Sequence, residues 1–387
     1  MIRSDKRILT THAGSLPRPA ALVEMLGKKS RNEPLDERAL DELALAATRD
    51  VVAHQLEAGI DVGNNGEQSR ESFFTYVQHR MSGFSGRGDR PFMRDIVHYP
   101  SFLALRRELL SRIRVDLLHP PKATGDVKYT GAAQVKKECD DFRRILAGQK
   151  KSFAEPFMTA PSPGIIAAAM LNEHYPTLAD YVNALADALA VEYRTIVDAG
   201  YVLQIDAPDL AMERHTSFAA RPLSDFVNFI DTVVAATNRA LTGIAPDRVR
   251  LHVCWGNYEG PHDDDVALDD IVEHLYPARV GAILLSMANP RHEHEYRCFA
   301  RHRLPESMSL IVGAIDTTTN YIEHPEVVAD RIERAAKVIG DPRRIMAATD
   351  CGFDTSAGLG EVAGEVVWLK LRALADGAAI ASKRLFG

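Results

Sequence analysis

Short apolar runs rich in β-branched residues alternate along this chain with long helical patterns. Such alternation is typical of repeated β-α units that build a parallel sheet. Nine runs are candidate strands: Arg7–Thr11, Ile60–Asn64, Val127–Gly131, Pro156–Ala160, Tyr201–Asp206, Val249–Cys254, Ala282–Met287, Ser309–Ile315 and Ile345–Thr349. An eight-stranded barrel needs one fewer, and Val127–Gly131 is the weakest because it lies in an irregular, charged region. We predict an α/β fold, a single (β/α)8 TIM barrel over residues 1–387, with a segment inserted after the second strand at about residues 70–151.

Many of the predicted strands end in polar, chemically capable side chains. These are His12, Ser15, Asn65, Glu67, Asp206, His252, Cys254, Ser286, Asp316, Asp350 and Cys351. In a TIM barrel the carboxyl ends of all strands surround one site. A doubly wound open sheet would bring together only the residues at its switch point. The barrel therefore explains more of the pattern and predicts one shared site.

Within this set, His252 and Cys254 lie two residues apart on one strand, and Cys351 ends another strand ninety-seven residues later (351 minus 254). Residues two apart on a strand point to the same face. An imidazole and two thiolates suit zinc, and three protein ligands would leave a position open for a substrate. A core histidine beside a buried thiol is the alternative. Cys139 and Cys298 lie in charged, helix-like stretches and are expected to be half-buried thiols without a role.

Composition narrows the classes of function. The chain has 387 residues, a net charge of -7 and 46% hydrophobic content. No Lys/Arg cluster is interleaved with aromatic residues, so a nucleic-acid partner is not expected. No apolar run reaches the roughly 20 residues of a membrane span, and the N-terminus lacks a signal-like core, so we expect a cytoplasmic protein. Four cysteines do not make a disulfide framework, and a reducing compartment favours metal binding.

Five motifs, in order along the chain, carry a family resemblance. They are Thr10–Pro19, Asn65–Gln68, Leu203–Leu210, His252–Asn257 and Thr349–Phe353. Together they resemble the catalytic half of cobalamin-independent methionine synthase and its short, single-barrel relatives. Those relatives include epoxyalkane:coenzyme M transferases, which open an epoxide with a zinc-bound thiol. The chemistry that the resemblance implies is alkylation of a thiol.

The resemblance implies that His252, Cys254 and Cys351 bind Zn²⁺. It also implies that the amino-acid portion of a homocysteine-like thiol is surrounded by Gly14, Ser15, Glu67 and Asp206. These roles are physically sensible. A thiol with a pKa near roughly 8.5 is mostly protonated at neutral pH, and coordination to zinc makes it a thiolate. Two carboxylates suit an ammonium, and the Gly14-Ser15 backbone and hydroxyl suit a carboxylate. From the residues alone, Glu67 could equally be a helix-start carboxylate and Asp206 a cap.

Two positions depart from the family pattern. Where relatives generally have a further carboxylate ligand, this chain has Ser286, and where methionine synthase has a catalytic histidine after Asp316, it reads Thr317. A neutral hydroxyl is a poor zinc ligand, so either the site works with three ligands or zinc binding is weakened. The chain also has no counterpart of the N-terminal half that holds polyglutamyl folate. The alkyl donor is left open between a methyl-corrinoid protein, a free folate and a small methyl donor.

Other clusters of polar residues are weaker candidates for a functional site. His292 and His294 alternate with glutamates in what resembles a surface helix start, which favours a solvated segment over a second metal site. Asp263–Asp265 is expected to be a solvated loop and helix N-terminus. His12, Trp255 and Ser286 are possible pocket residues, and Trp255 could form a wall that excludes water from a thiolate.

The main hypothesis is a zinc-dependent enzyme that transfers a methyl or other alkyl group from a donor to homocysteine or a similar amino thiol. The second is the addition of a thiol to an epoxide or other electrophile, which predicts a pocket cation such as Arg18, Arg70 or Arg291 for an acidic thiol. The third is a protein that binds a thiol or metal without catalysis. The sequence does not predict an oligomeric state.

Overall fold

The structure is a computed structural model that describes residues 1–111 and 113–387. Its strands are β1 (Leu9–Thr10), β2 (Met81–Ser85), β3 (Lys122–Tyr129), β4 (Phe157–Pro161), β5 (Val202–Asp206), β6 (Val249–Val253), β7 (Ala282–Leu285), β8 (Ser309–Ile315) and β9 (Ile345–Thr349). Its helices are α1 (Ala20–Ser30), α2 (Glu37–Ala58), α3 (Arg94–Val97), α4 (Pro100–Leu110), α5 (Ala132–Ala147), α6 (Pro163–Ala169), α7 (Leu178–Asp198), α8 (Asp209–Met212), α9 (Leu223–Ala240), α10 (Leu268–Leu275), α11 (Pro325–Ile339) and α12 (Gly364–Phe386). Among the described residues, no helix has the length and apolar character needed to cross a membrane.

Seven strands form one parallel sheet in the order β1-β9-β8-β7-β6-β5-β4. The sheet is curled, its strands alternate with helices, and the predicted (β/α)8 class is confirmed. Register places Asp206 directly beside His252 on neighbouring strands. Because the strands are parallel, their carboxyl ends face the same way, and the polar residues that follow them meet at one mouth.

The remaining position in the ring is filled by residues 60–64, between β1 and β4. Asp61 N and Val62 N donate to Thr10 O at 3.1 and 3.0 Å, and Phe157 N donates to Gly63 O at 3.0 Å. The prediction of a regular strand here is wrong. Side chains here make hydrogen bonds that a neighbouring strand would otherwise make. Gln55 donates to the Asn64 carbonyl oxygen and accepts from the Asn64 N–H, and the Asp61 carboxylate accepts from the Thr10 N–H.

Apolar residues fill the inside of the barrel and the space between the sheet and its helices. The interior cluster includes Leu9, Phe157, Val202, Leu284, Ile311 and Met346. A larger cluster packs the outer face of the sheet against the surrounding helices. Successive side chains along each strand therefore point alternately into the barrel interior and towards the helices. Because both sides are apolar, the strands are nearly continuous apolar runs in the sequence.

The irregular region at about residues 70–151 contains β2, β3, α3, α4 and α5. Strands β2 and β3 pair antiparallel in a separate two-stranded sheet. The run at Val127 belongs to β3, so the weakest predicted strand is indeed not a barrel strand. Buried ion pairs anchor this region, because Glu138 binds both Arg70 and Arg80, and Arg80 also reaches Glu192 on α7.

Replacing Gly63 by alanine should destabilise the fold. A Cβ at this position would approach the Phe153 ring and Gln55 Oε1 more closely than real Cβ atoms do. We expect a loss of about 1–3 kcal/mol in the free energy of unfolding, measured by urea denaturation. Gly148→Ala is the control, because an added Cβ there meets only ordinary contacts. Equal stability of the two variants would contradict the close packing described for residues 60–64.

Candidate metal and thiol site

His252, Cys254 and Cys351 meet at the carboxyl end of the sheet. Their ligand atoms all lie within 4.8 Å of one another, and all three residues are buried. His252 is on β6, Cys254 follows that strand, and Cys351 follows β9. The distance between Cys351 Sγ and His252 Nε2 is 3.8 Å. Three soft donors in one buried place can hold a metal ion.

The orientation of the His252 ring is fixed by Asp206 on the neighbouring strand. Asp206 Oδ1 lies 3.0 Å from His252 Nδ1 and accepts a hydrogen bond of 2.7 Å from Gln204 Nε2. A carboxylate bound to Nδ1–H leaves Nε2 free for a metal and raises its basicity. Nε2 is the nitrogen that faces Cys351. The arrangement is therefore that of a metal ligand with a supporting carboxylate.

The two thiols differ in acidity. A hydrogen bond from Cys351 and the adjacent His252 hold the pKa of Cys254 well below its usual range. The same hydrogen bond, with burial, raises the pKa of Cys351. Burial alone would lower the pKa of His252, but the Cys254 thiolate and Asp206 raise it to about 10. The three donors thus hold a thiolate and an imidazolium whose charges cancel, and a metal ion would replace the protons on His252 and Cys351; two thiols and an imidazole fit a soft or borderline metal.

Asp350 ties the β7 loop to the end of β9. Its carboxylate accepts hydrogen bonds from the backbone N–H groups of Met287, Ala288 and Asn289 at 2.7–3.2 Å. Burial and Asp316 raise the pKa of Asp350 to about 7. Ser286 Oγ donates to Asp350 O at 3.1 Å. The neutral hydroxyl of Ser286 therefore lies next to the Cys351 segment, at the position where the family resemblance implies a carboxylate.

A cavity of about 160 Å³ opens above the three donors. On the barrel side it is lined by Ser15, Glu67, Asp206, His252, Cys254 and Cys351. On the other side it is lined by Phe73, Phe74, Arg90, Phe92, Met93, Ile96, Arg106, Leu110, Leu117 and Leu118. The barrel thus supplies the polar wall, and the region that follows residue 70 supplies a mainly apolar wall.

Glu67 is held in the cavity with an unsatisfied oxygen. Thr159 Oγ1 donates to Glu67 Oε1 at 2.9 Å, whereas Oε2 is buried and has no hydrogen-bond partner among the described residues. Burial and the nearby Asp206 raise the pKa of Glu67 to about 7. Its backbone is left-handed at φ 57°, a conformation that costs energy in a non-glycine residue. A carboxylate kept in such a place is suited to an incoming cation.

Gly14 makes room for this carboxylate. Its φ is +132°, and a Cβ there would lie 2.5 Å from Glu67 Oε1. Ser15, the next residue, lines the cavity directly. The four residues that the resemblance assigns to substrate therefore lie together, with Gly14 just behind the wall.

His12 and Trp255, two possible pocket residues, do not line the cavity. Burial lowers the pKa of His12 to about 3, so its neutral ring accepts from Gly14 N at Nδ1 and donates to Gln55 Oε1 from Nε2. Trp255 donates from Nε1 to Val266 O and stacks on His292. Both residues support the site from behind.

Thr317 occupies the region where the resemblance places a catalytic histidine. Its Oγ1 donates to Asn257 Oδ1 at 2.8 Å, and Asn257 Nδ2 donates to Gly352 O at 2.8 Å. Asn257 lines the cavity, so this wall is polar but neutral. Cys139 and Cys298, expected to be half-buried, are fully buried, and burial raises the pKa of each to about 12.

Sequence reasoning missed Arg250, Gln204 and Asn257. Arg250 and His252 alternate with apolar residues on β6, as Gln204 and Asp206 do on β5. This period-two pattern points both pairs into the barrel and could have identified them.

The fold and the site define an α/β-barrel enzyme whose centre can hold a metal ion. The family described as "Cobalamin-independent synthase, Catalytic domain" matches residues 107–368. The chain belongs to this family, and it is an enzyme of the methyltransferase class. The family assignment confirms the resemblance and excludes the third hypothesis, a protein without catalysis.

Relatives match over most of the chain. A methionine synthase of Sulfolobus acidocaldarius is 25% identical over 346 residues, which cover 89% of this chain and 85% of that protein. A 2-hydroxypropyl-CoM lyase of Xanthobacter autotrophicus is 23% identical over 383 residues, 90% of each chain. The solved structure of a B12-independent methionine synthase from Shewanella sp. W3-18-1, in complex with selenomethionine, has a TM-score of 0.73 and 23% identity, and covers 98% of this chain and 99% of that chain. The structural likeness supports the fold.

Glu67→Gln should change how stability depends on pH. The pKa of Glu67 is about 7 in the fold against an ordinary 4.5, so the folded protein binds the extra proton more tightly and stability falls as pH rises between these values. The variant lacks this loss and should gain up to about 3 kcal/mol relative to wild type between pH 4 and 8. Urea unfolding at both pH values measures the difference.

Glu71→Gln is the matched control for this experiment. Burial would raise the pKa of Glu71, but the His79 hydrogen bond lowers it, so this replacement should give no such gain with rising pH. A stability difference between Glu67→Gln and wild type that did not vary with pH would show that Glu67 titrates normally.

Proposed function

We propose that this protein is a zinc-dependent thiol alkyltransferase that transfers a methyl group to homocysteine or a similar amino thiol. The observation that carries the proposal is the single cavity that joins three metal-type donors to two buried carboxylates. The methionine synthase relative and the selenomethionine-bound neighbour support the same substrate class. Its partners would be a small thiol and an alkyl donor.

His252, Cys254 and Cys351 are the residues that would hold zinc. Zinc bound there would offer one open position to a substrate sulfur and lower the pKa of that thiol. The thiol proton is lost to solvent; the sulfur electron pair forms the new S–C bond as the bond between the alkyl carbon and the donor breaks, and the dealkylated donor leaves with that bond's electron pair. The two thiols and the imidazole would leave the centre with a formal charge near zero, since Ser286 adds none.

Glu67 and Asp206 would bind the substrate ammonium. Glu67 Oε2 has no partner among the described residues, and the hydrogen bonds from Gln204 and His252 to Asp206 both end on Oδ1. Burial and the Asp206 charge raise the cost of ionising Glu67, and one positive charge between the two carboxylates would relieve it. The Ser15 hydroxyl and its backbone are placed to bind the substrate carboxylate.

The apolar wall would receive the alkyl donor. Phe73, Phe74, Met93 and Ile96 face the thiol side across the cavity. Such a wall excludes water from the attacking sulfur and contacts a flat or apolar donor. A free folate, a methyl-corrinoid protein and a small methyl donor all remain candidates, and the wall alone does not distinguish them.

Cys351→Ala should abolish methyl transfer and remove one sulfur-bound metal ion per chain. The reason is that loss of one of three protein ligands leaves a thiol and an imidazole, too few to hold zinc tightly. Metal content by mass spectrometry and methionine formation from each donor would be measured together. Cys139→Ala is the control, because that thiol lies in the core away from the cavity. A variant that kept both metal and activity would refute the zinc centre.

Glu67→Gln should separate amino thiols from simple thiols. We expect KM for homocysteine to rise about 10- to 100-fold, because a charge-assisted hydrogen bond to the ammonium is lost. KM for 4-mercaptobutyrate, which has no amino group, should change little. Equal effects on both thiols would show that Glu67 does not bind the ammonium.

The second candidate is addition of an acidic thiol to an epoxide, as the lyase relative suggests. The cations expected for it are not in the cavity wall: Arg18 binds Asp354, Arg70 binds Glu138, and Arg291 binds His262 O. Arg90 and Arg106, from the inserted region, do line the cavity. They pair with Glu213 and Glu361, respectively. This candidate predicts that Arg90→Gln impairs an acidic thiol and that Glu67→Gln does not.

A further inference from the structure

Three histidines surround one aspartate beside the cavity just described. His215 ends a short 3-10 helix after β5, His262 and Asp265 lie in the loop after β6, and His292 lies in the loop after β7. Their side chains are between 0 and 4% exposed. The expectations of a solvated Asp263–Asp265 loop and a solvated His292 are therefore wrong at Asp265 and His292. We call these four residues the three-histidine cluster.

Asp265 is the centre of the three-histidine cluster. Its Oδ2 lies 2.8 Å from His262 Nδ1 and 2.8 Å from His292 Nε2. Its Oδ1 lies 2.9 Å from His215 Nδ1, although the two groups are not aligned for a hydrogen bond. One carboxylate thus meets a ring nitrogen from each of three loops.

The proton on His262 cannot lie between its ring and Asp265 if the ring is neutral. His262 Nε2 is 3.0 Å from the carbonyl oxygen of Tyr258, which can only accept, so Nε2 carries the hydrogen. Nδ1 then presents a lone pair to a carboxylate oxygen 2.8 Å away. Two lone pairs at this distance repel, so either a proton on Nδ1 or a metal ion lies between them.

Several other polar atoms of the cluster lack partners. Among the described residues, neither nitrogen of His215 has a hydrogen bond, and the same holds for His292 Nδ1 and Asp265 Oδ1. Protonating all three rings would place three positive charges around the central carboxylate, with Glu295 3.7 Å from His292 and with Asp264 and Asp95 also near the cluster. Burying three positive charges side by side is unfavourable. A single divalent ion bound by neutral rings satisfies the lone pairs with less charge.

We propose that His262, Asp265 and His292 form a second metal site, for Zn²⁺ or a similar divalent transition-metal ion, because their ligand atoms all lie within 4.8 Å of one another. His215 contacts the other carboxylate oxygen of Asp265 and would hold that carboxylate in place. Two imidazoles and a carboxylate can bind zinc, with the fourth position left to water. The contacts of 2.8 Å from Asp265 Oδ2 to the two rings are hydrogen-bond distances, so these ligands would separate by about 0.5 Å to bind zinc at about 2.0–2.1 Å.

The metal ion in the three-histidine cluster would stabilise the neighbouring thiol site. Trp255, the residue after Cys254, stacks on His292 with ring centroids 3.9 Å apart. The ion would therefore join the loops after β6 and β7, and the contact of His215 with Asp265 would connect the loop after β5 to them. Its role is to fix the polar wall of the cavity.

The test uses full-length protein with both Cys254 and Cys351 replaced by alanine, which removes the thiol site. After metal removal, this variant is titrated with Co²⁺ and followed by visible absorption. We expect one equivalent to bind with d–d bands and no thiolate charge-transfer band, and Zn²⁺ to displace it. His262→Gln in the same background should weaken binding by more than the roughly 10- to 100-fold that loss of an outer partner costs, whereas His215→Ala, which removes a partner of Asp265, should weaken binding within that range.

His294→Ala is the control, since this exposed histidine is two residues from His292. Circular dichroism establishes that each variant is folded. Folded cysteine-free protein that binds no Co²⁺ would overturn the proposal, and so would binding that His215→Ala and His262→Gln leave unchanged. In protein that keeps its cysteines, zinc content should fall from two ions per chain to one with His262→Gln. Failure of the thiol site alone would leave Co²⁺ binding by the cysteine-free variant intact, so the two proposals are separable.

Discussion

A buried arginine inside the barrel is the interaction on which the site depends. Arg250 bonds to Gln204 Oε1, Thr11 Oγ1 and the His12 carbonyl oxygen, and its guanidinium lies 3.7 Å from the centre of the Phe157 ring. Gln204 Nε2 in turn donates to Asp206 Oδ1, and the same oxygen lies 3.0 Å from His252 Nδ1. A charge buried this deeply is tolerated only when its donors are satisfied, so each member of the chain holds the next in place. The His252 ring is therefore positioned from inside the barrel.

Whereas the barrel interior holds a buried positive charge, the carboxyl end of the barrel has an excess of negatively charged groups. Glu67, Asp206, Asp350 and the thiolate of Cys254 are crowded into one buried region, and burial raises the pKa of both Glu67 and Asp350 to about 7. This charge destabilises the free protein and favours any ligand that brings a cation, whether a metal or an ammonium. Binding strength is gained at the expense of stability, as at many functional sites.

The barrel and the meeting of His252 with Cys351 could be predicted because both follow from strand periodicity. Side chains alternate between the two faces of a strand, and the carboxyl ends of all barrel strands surround one site. Residues far apart in sequence can therefore be placed together from sequence alone. Residues 60–64 could not be predicted, because an apolar run does not show that Gln55 and Asp61 side chains take over the backbone hydrogen bonds. The three-histidine cluster was also missed, since its members come from three loops and each looks locally like a solvated polar residue. Loop contacts have no such repeat.

The neutral residues at the two departures are consistent with one another. A carboxylate at position 286 would be a fourth ligand and would add a negative charge that opposes the entry of a thiolate. The hydroxyl of Ser286 adds no charge, so the centre stays near neutral. Thr317 likewise leaves no imidazole near the donor, and it instead fixes Asn257 against the Gly352 carbonyl. A donor that needs no proton on its leaving group would not require that histidine. The choice of donor is thus coupled to the absence of an imidazole at position 317, because a donor whose leaving group must be protonated would take that proton from another group or from solvent.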